Sequence, residues 1–210
     1  MRVKHKPWAK DYIKENNNFF LSEEVLNGGN PFDNDNPIHL ELGMGKGQFI
    51  MELAKQNPEI NYIGVELQAS AQVMAGKKLE EEPLPNVRLY NQDVAKLLEH
   101  EFWVGNIDRI YLNFSDPWPK NRHAKRRLTS DRFTPIYDQL LSANGSIHQK
   151  TDSKSLFESS VMSLTQNGYE IVDIELDMHN SDRPNIITEY EEKFSKKGFT
   201  IKFLEAKKRK

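Results

Sequence analysis

The stretch Ile38-His39-Leu40-Glu41-Leu42-Gly43-Met44-Gly45-Lys46-Gly47-Gln48-Phe49-Ile50 changes character twice within a short span. Its opening residues are apolar or branched and read as a strand. The glycines at 43, 45 and 47 then allow a sharp backbone turn and close approach to a ligand. Beyond them, Phe49, Ile50, Leu53 and Ala54 recur at helical spacing, so the loop opens onto the free N–H groups of a helix N-terminus. Two common ligand loops are excluded by residue type. The dinucleotide fingerprint needs glycine or alanine at its last position, where the two possible frames place Gln48 and Ile50. A phosphate loop needs Ser or Thr after its lysine, and Gly47 follows Lys46.

Working outward, Tyr62–Leu67, Val87–Tyr90, Ile107–Phe114, Ser146–Gln149, Tyr169–Leu176 and Phe199–Leu204 read as six further strands. Helical stripes lie between them: Ala71, Val73, Met74 and Leu79, then Phe157, Val161 and Leu164 stopped by Asn167 and Gly168. Strand and helix in alternation predict an α/β fold, a mostly parallel seven-stranded sheet with helices on both faces. The last two strands, separated by Met178–Lys197, are expected to form an antiparallel pair. The residues before Asn36 are rich in Asn, Gly and Pro and weak in periodicity. Residues 1–35 therefore read as a basic arm and loop, ahead of one domain at 36–210.

The chain has 210 residues, enough for a proper core in a single domain. It contains no cysteine, which removes disulfides, thiolate metal sites and a cysteine nucleophile. The six histidines show no paired metal spacing, so no metal is expected. No apolar run reaches the ~20 residues that span a bilayer, and no secretory signal opens the chain, so the expected setting is the cytoplasm, with no membrane partner. The net charge of −2 conceals a sorted distribution. Lys120, Arg122, Lys125, Arg126 and Arg127 form an acid-free block. Lys207–Lys210 close the chain, and Arg2, Lys4, Lys6, Lys10 and Lys14 open it beside Trp8 and Tyr12. Blocks of this kind can hold phosphates on a slightly acidic molecule, or simply be solvated.

Carboxylates recur at successive strand ends: Glu41, Glu66, Asp93 and Asp116. In an open parallel sheet those ends line one crevice. Any one of these acids alone would serve as a strand-end or cap residue. Four in register would repel one another unless they hold a ligand with donors and positive charge. S-adenosylmethionine (SAM) has an ammonium, a sulfonium, two ribose hydroxyls and an adenine amino group. On this reading Glu66 accepts from the ribose hydroxyls, Asp93 meets the adenine amino group, and Glu41 with the Gly43–Gly45 loop supports the methionine end.

The fourth strand continues Phe114-Ser115-Asp116-Pro117-Trp118-Pro119-Lys120-Asn121-Arg122-His123-Ala124-Lys125-Arg126-Arg127. With this run the chain closely resembles the bacterial tRNA (guanine-N7)-methyltransferases of the TrmB type. The match extends through Lys6-Pro7-Trp8, Glu41–Phe49, Gly64-Val65-Glu66, Asp93, Thr151-Asp152 and Thr188-Glu189-Tyr190-Glu191. The resemblance implies a class I SAM-dependent methyltransferase (Rossmann-like) fold, SAM as cofactor, and a guanine of the tRNA variable loop as acceptor. It implies that Glu41, Gly43, Gly45, Glu66, Asp93 and Asp116 face the cofactor, with Asp116 also catalytic. It further implies that Lys120, Asp152, Thr188, Glu189, Tyr190 and Glu191 contact the substrate. Arg122, His123, Ala124, Lys125, Arg126 and Arg127 would meet the RNA, and the enzyme would be a monomer or homodimer.

Residue physics runs beside these implications. Pro117 and Pro119 restrict the residues before them to extended conformations and stiffen the loop that carries Asp116. Trp118 offers a face on which an extruded base could stack, or else anchors the loop. Thr188–Glu191 reads by itself as a helix cap with first-turn acids. As a substrate-binding group, Glu191 is expected to be exposed. Guanine N7 carries a lone pair and no proton, so the acceptor needs no general base. Two alternatives stay open: a SAM enzyme acting on an amino group, since Asp116-Pro117-Trp118-Pro119 is distantly similar to an Asp-Pro-Pro-aromatic motif, and a non-catalytic RNA-binding protein on the same fold.

Overall fold

The computed structural model describes residues 4–195 and 197–209, apart from the side chain of Glu189. Arg2 and Lys210 of the terminal basic groups lie outside the described residues.

A seven-stranded sheet forms the centre, in the order β3-β2-β1-β4-β5-β7-β6. β1 (Ile38–Leu42) runs parallel to β2 (Asn61–Val65) on one side and to β4 (Ile107–Asn113) on the other. β3 (Val87–Tyr90) extends the parallel set beyond β2, and β5 (Leu141–Thr151) extends it beyond β4. β7 (Lys202–Lys208) lies antiparallel between β5 and β6 (Tyr169–Glu175). The expected antiparallel pair is present, and its second member is inserted inside the sheet.

The strands of the parallel half are buried on both faces, as their near-continuous apolar sequences require. Leu40, Leu42, Ile63, Val65, Ile110, Leu112 and Ile147 build one face of the core. Tyr62, Val87, Leu89 and Tyr111 build the other, against Phe49 and Ile50 of α3 (Gln48–Gln56). Phe49 meets the Tyr111 ring edge-on at 5.2 Å. Gly47 caps α3 with φ 73, and a Cβ there would come within 2.9 Å of the Ala75 Cβ on α4 (Ala69–Glu81), so glycine permits both the turn and the helix contact. α6 (Lys154–Gln166) starts where Ser153 Oγ accepts from the Leu156 N–H at 3.3 Å and stops before Gly168.

The stretch read as an arm carries α1 (Ala9–Glu15) and α2 (Glu23–Asn27). It closes onto the sheet: Phe20 bridges Leu89 in parallel fashion, and Phe20, Leu21, Leu26 and Phe32 are buried. The Lys6 N–H donates to Ser70 Oγ at 2.8 Å, which ties α1 to α4. α5 (Thr134–Leu140), with Pro135 in its first turn, and α7 (Glu189–Ser195) complete the helices. Among the described residues no helix is long and apolar enough to cross a membrane.

Candidate active site

The loop Gly43–Gly47 leaves the carboxyl end of β1, donates from the Gly43 and Met44 N–H groups to the Val65 carbonyl at the end of β2, and separates two open cavities of about 400 and 390 Å3, both lined by Gly43, Gly45 and Phe114. One cavity holds Glu41, Asn113, Thr188 and Tyr190. The other holds Glu66, Asp93, Asp116 and Trp118. The four strand-end acids thus surround one glycine loop. Gly45 has φ 58, and its missing side chain faces open space, so the bare backbone borders the cavity.

Each acid is held differently. Glu41 is 3% exposed at the end of β1. Its Oε1 accepts from Asn113 Nδ2 at 3.0 Å, while Oε2 is buried without a partner. Burial pushes its pKa up to about 7, opposed by the Asn113 hydrogen bond and by Lys150, and reinforced by Glu66. An orphaned carboxylate oxygen beside a cavity is a receptor for a donor or cation. Glu66 accepts from the Gly45 N–H at 3.0 Å and the Gln68 N–H at 2.8 Å, and so shapes the loop directly. Burial raises its pKa, and Asp116 raises it further. Asp93 caps a 3-10 turn by accepting from the Ala95 N–H at 2.9 Å and still lines the second cavity. Asp116 is exposed and lines the second cavity, near enough to raise the pKa of both Glu66 there and Tyr190 at the wall of the first. A cationic ligand with hydroxyl and amino donors fits this acid-lined, glycine-floored crevice, and S-adenosylmethionine has those groups.

A family profile described as a putative methyltransferase matches residues 35–204. A curated tRNA (guanine-N(7)-)-methyltransferase from Listeria innocua is 54% identical over 99% of this chain and 98% of its own. Another with the same name from Bacillus licheniformis is 50% identical over 98% of each. The chain belongs to the tRNA (guanine-N7)-methyltransferase family. Among solved structures, an antibiotic-related methyltransferase superposes with a TM-score of 0.61 at 21% identity, over 98% of this chain and 95% of its own. A 30S ribosomal A1408 methyltransferase gives 0.55 at 16% identity, over 89% of this chain and 91% of its own. These show a shared class I methyltransferase fold.

In this methyltransferase the basic run forms a loop and a 3-10 turn at Asn121–Arg126, whose N-cap is the exposed Lys120. Arg122, Lys125 and Arg126 are exposed, and His123 and Ala124 are half-buried. Arg127 is committed inward: its guanidinium donates to the carbonyls of Pro117 at 3.0 Å and Trp118 at 3.1 Å. Trp118 does not adopt the extended conformation expected before Pro119. Its φ is 40, left-handed backbone that a bulky residue seldom occupies. Arg127 braces the carbonyls on either side of that strain. The Arg126 guanidinium lies 4.8 Å from the Trp118 ring centre, and the His123 ring meets it edge-on at 5.7 Å. The face read as free for a base is therefore covered by Arg126 in this state.

The second substrate segment is also rearranged relative to expectation. Glu191, expected to be exposed, has no exposed surface. It forms a capping box with Thr188: the Glu191 N–H donates to Thr188 Oγ1 at 3.0 Å, and Glu191 Oε2 accepts from the Thr188 N–H at 3.5 Å. The cap reading of this segment is realised, and Glu191 faces Lys150 rather than the cavity. Thr188 and Tyr190 do line the first cavity. The Tyr190 ring lies between Phe114 at 4.9 Å and Phe194 at 4.1 Å, and its hydroxyl donates to Asp152 Oδ2 at 3.4 Å. Glu189 opens α7, and its side chain lies outside the description. Two residues of the site carried no signal in the sequence: Asn113, which holds Glu41, and Lys150, buried beneath the segment.

Proposed function

We propose that this protein transfers the methyl group of S-adenosylmethionine to N7 of a guanine in the variable loop of tRNA, in the cytoplasm. The observation that carries the reading is the gathering of Glu41, Glu66, Asp93 and Asp116, from four parallel strand ends, around one glycine loop, with Glu41 lining the cavity on one side and the other three acids the cavity on the other. Relatives that share half or more of its residues along their full length carry the name of that reaction.

When bound, the cofactor supplies an electrophilic methyl group on a sulfonium. Glu41 and the bare backbone at Gly43 and Gly45 receive its ammonium end, Glu66 its ribose hydroxyls, and Asp93 its adenine amino group. Asp116, on the wall of the second cavity and close to Tyr190 of the first, holds the N–H edge of guanine and turns N7 toward the methyl. Its fixed negative charge also favours the positive charge that develops on the purine. Because N7 carries no proton, no residue has to act as a general base. The work of the chain is alignment, which can lower a barrier by ~7–11 kcal/mol. Thr188, Tyr190 and Asp152 border the guanine side, while Lys120, Arg122, Lys125 and Arg126 meet phosphates from the adjoining loop.

The test is transfer of a tritiated methyl group from S-adenosylmethionine to bulk tRNA, with nucleoside analysis and chain cleavage at 7-methylguanosine to locate it. Label in 7-methylguanosine of the variable loop is expected. Label on an exocyclic amino group, or tRNA binding without transfer, would refute the reading.

A further inference from the structure

Lys150 is 5% exposed near the end of β5, and its ammonium is directed into one short segment. Nζ donates to Glu191 Oε2 at 2.8 Å, to the Ile186 carbonyl at 2.8 Å and to Asn185 Oδ1 at 2.9 Å. The other oxygen of Glu191 accepts from Asn185 Nδ2 at 2.5 Å and lies 3.2 Å from His179 Nε2. On its remaining sides Lys150 meets rings, Phe49 at 5.0 Å and Phe114 at 5.9 Å. All three donors of an ammonium are thus spent on residues 185–191.

Such a pair is a poor device for stability alone. Desolvating two charges costs about as much as their attraction returns, and an apolar side chain of similar volume often serves as well. Burial indeed pushes the Lys150 pKa down, against the pull of Glu191 and Glu41. What the ammonium adds is direction. It fixes Glu191, Glu191 fixes the N–H of Thr188, and the cap places Thr188 and Tyr190 at the cavity wall. A second tie from the same strand end, Asp152 to the Tyr190 hydroxyl, acts on the same turn.

We infer that Lys150 is a positioning residue for the methyl transfer, tying the segment Asn185–Glu191 beside the glycine loop, with Glu191 as the anchor it holds rather than a contact to guanine. This rests on the methyl-transfer reading above. The same ammonium also favours the carboxylate form of Glu41. The groups facing Glu41 are Glu66 from the end of β2, Asn113 from β4, the Ile50 backbone on α3 and Lys150 from β5. Lys46 and Lys193 line the same cavity as Glu41, but Lys150 is the cation that acts on its carboxyl, so removing the lysine charge leaves the repulsion of Glu66 and Glu41 keeps its proton to higher pH.

The experiment compares the full-length parent with Lys150→Met, Lys150→Arg, Glu191→Gln and the double variant Lys150→Met/Glu191→Gln. Activity on tRNA, cofactor affinity by calorimetry and amide hydrogen exchange are each followed from about pH 6 to 8.5. In Lys150→Met, kcat/KM for tRNA is expected to fall roughly 10–100-fold, the scale on which misplaced partners lose rate. The amides of residues 186–191 should exchange faster, and the pH at which cofactor affinity declines should move upward. Lys150→Arg should restore that pH. The double variant should be no worse than Lys150→Met, because the two residues act as one unit. Parent-like tRNA kinetics in both Lys150→Met and Glu191→Gln, additive losses in the double variant, or an unmoved pH midpoint in Lys150→Met would overturn the inference. Should Lys150→Met fail to fold, Glu191→Gln decides. Lost tRNA kcat/KM with cofactor binding retained supports the tie, and parental kinetics refute it. A parent that transfers no methyl to tRNA refutes the methyl-transfer reading instead, and hydrogen exchange then judges the tie.

Discussion

Replacing Glu41 by Gln should make the free protein more stable at alkaline pH while it loses its cofactor. Glu41 is buried, one oxygen lacks a partner, and its pKa is raised from the ordinary 4.5 to about 7. Between those values the folded chain keeps a proton that the unfolded chain has released. Stability from this group is therefore fully present below about pH 4.5 and is lost as pH rises through about 7. The loss amounts to about 3 kcal/mol, at ~1.4 kcal/mol per tenfold change in proton affinity. Gln keeps the acceptor for Asn113 and carries no charge, so the variant escapes the penalty. Thermal melts without cofactor are the assay, because a bound ligand would add its own stabilisation. The melting point of Glu41→Gln relative to the parent should rise by roughly 6–10 °C between pH 4.5 and pH 8. Calorimetry at pH 8 should show weakened SAM binding. An equal difference between the two proteins at both pH values would refute the argument, since it would mean Glu41 is ionised in the fold at both.

Glu66→Ala should weaken SAM binding by ~1–3 kcal/mol by calorimetry, through lost charge-assisted bonds. It also frees the Gly45 and Gln68 N–H groups that Glu66 now holds, and unchanged affinity would exclude Glu66 from the site. Replacing Arg122, Lys125 and Arg126 together by Ala should weaken tRNA binding. The salt slope should flatten by about 2–3, scaled from ~0.7–0.9 per phosphate, whereas an unaltered slope would place these residues in solvent. Arg127→Ala should instead lower the melting point, because the Pro117 and Trp118 carbonyls lose their donors and the strained turn loses its brace. Asp116→Asn should slow single-turnover transfer by ~100-fold, the scale of losing one aligned electrostatic group, and an unimpaired variant would leave Asp116 a structural role only.

The parallel half of the fold was legible because its central strands are buried on both faces and so read as short runs rich in apolar and branched residues, as at Ile38–Leu42 and Asn61–Val65. The glycine loop and the acids at the strand ends were legible for the same reason, since they interrupt those runs at a fixed place. β5 proved longer than Ser146–Gln149 because Leu141 already pairs with Ile107, and after a register shift that spans residues 142–145 the pairing resumes at Ser146 and runs on to Lys150. β7 was displaced toward the chain end because Lys207 and Lys208 read as part of a terminal basic block, phosphate-holding or solvated, rather than as strand. In the fold they pair with Glu205 and Asp138 at the strand end. The first 35 residues read as irregular because their helices are short and their apolar residues, Phe20, Leu21, Leu26 and Phe32, follow no period. Residues 4–35 are ordered by the hydrophobic surface they meet. The roles of Lys150 and Arg127 were hidden because a charged side chain suggests solvent or phosphate, and only distances show a buried cation spent on its own backbone and acids.

The insertion of β7 between β5 and β6 sets a sequence of events during synthesis. β6 has β7 as its strand partner, and β7 is translated only after the loop, α7 and a further turn have been made. At ~5–20 residues per second, β6 emerges from the ribosome well before the strand that will pair with it. Through that interval both of its edges are unpaired, the outer one remains so at the margin of the finished sheet, and Val172, Ile174 and Leu176, at and just past the strand, stay exposed even then. The acids Glu170, Asp173 and Glu175 interrupt that strand with negative charge, and charge on an unpaired edge discourages neighbouring nascent chains from adding to it.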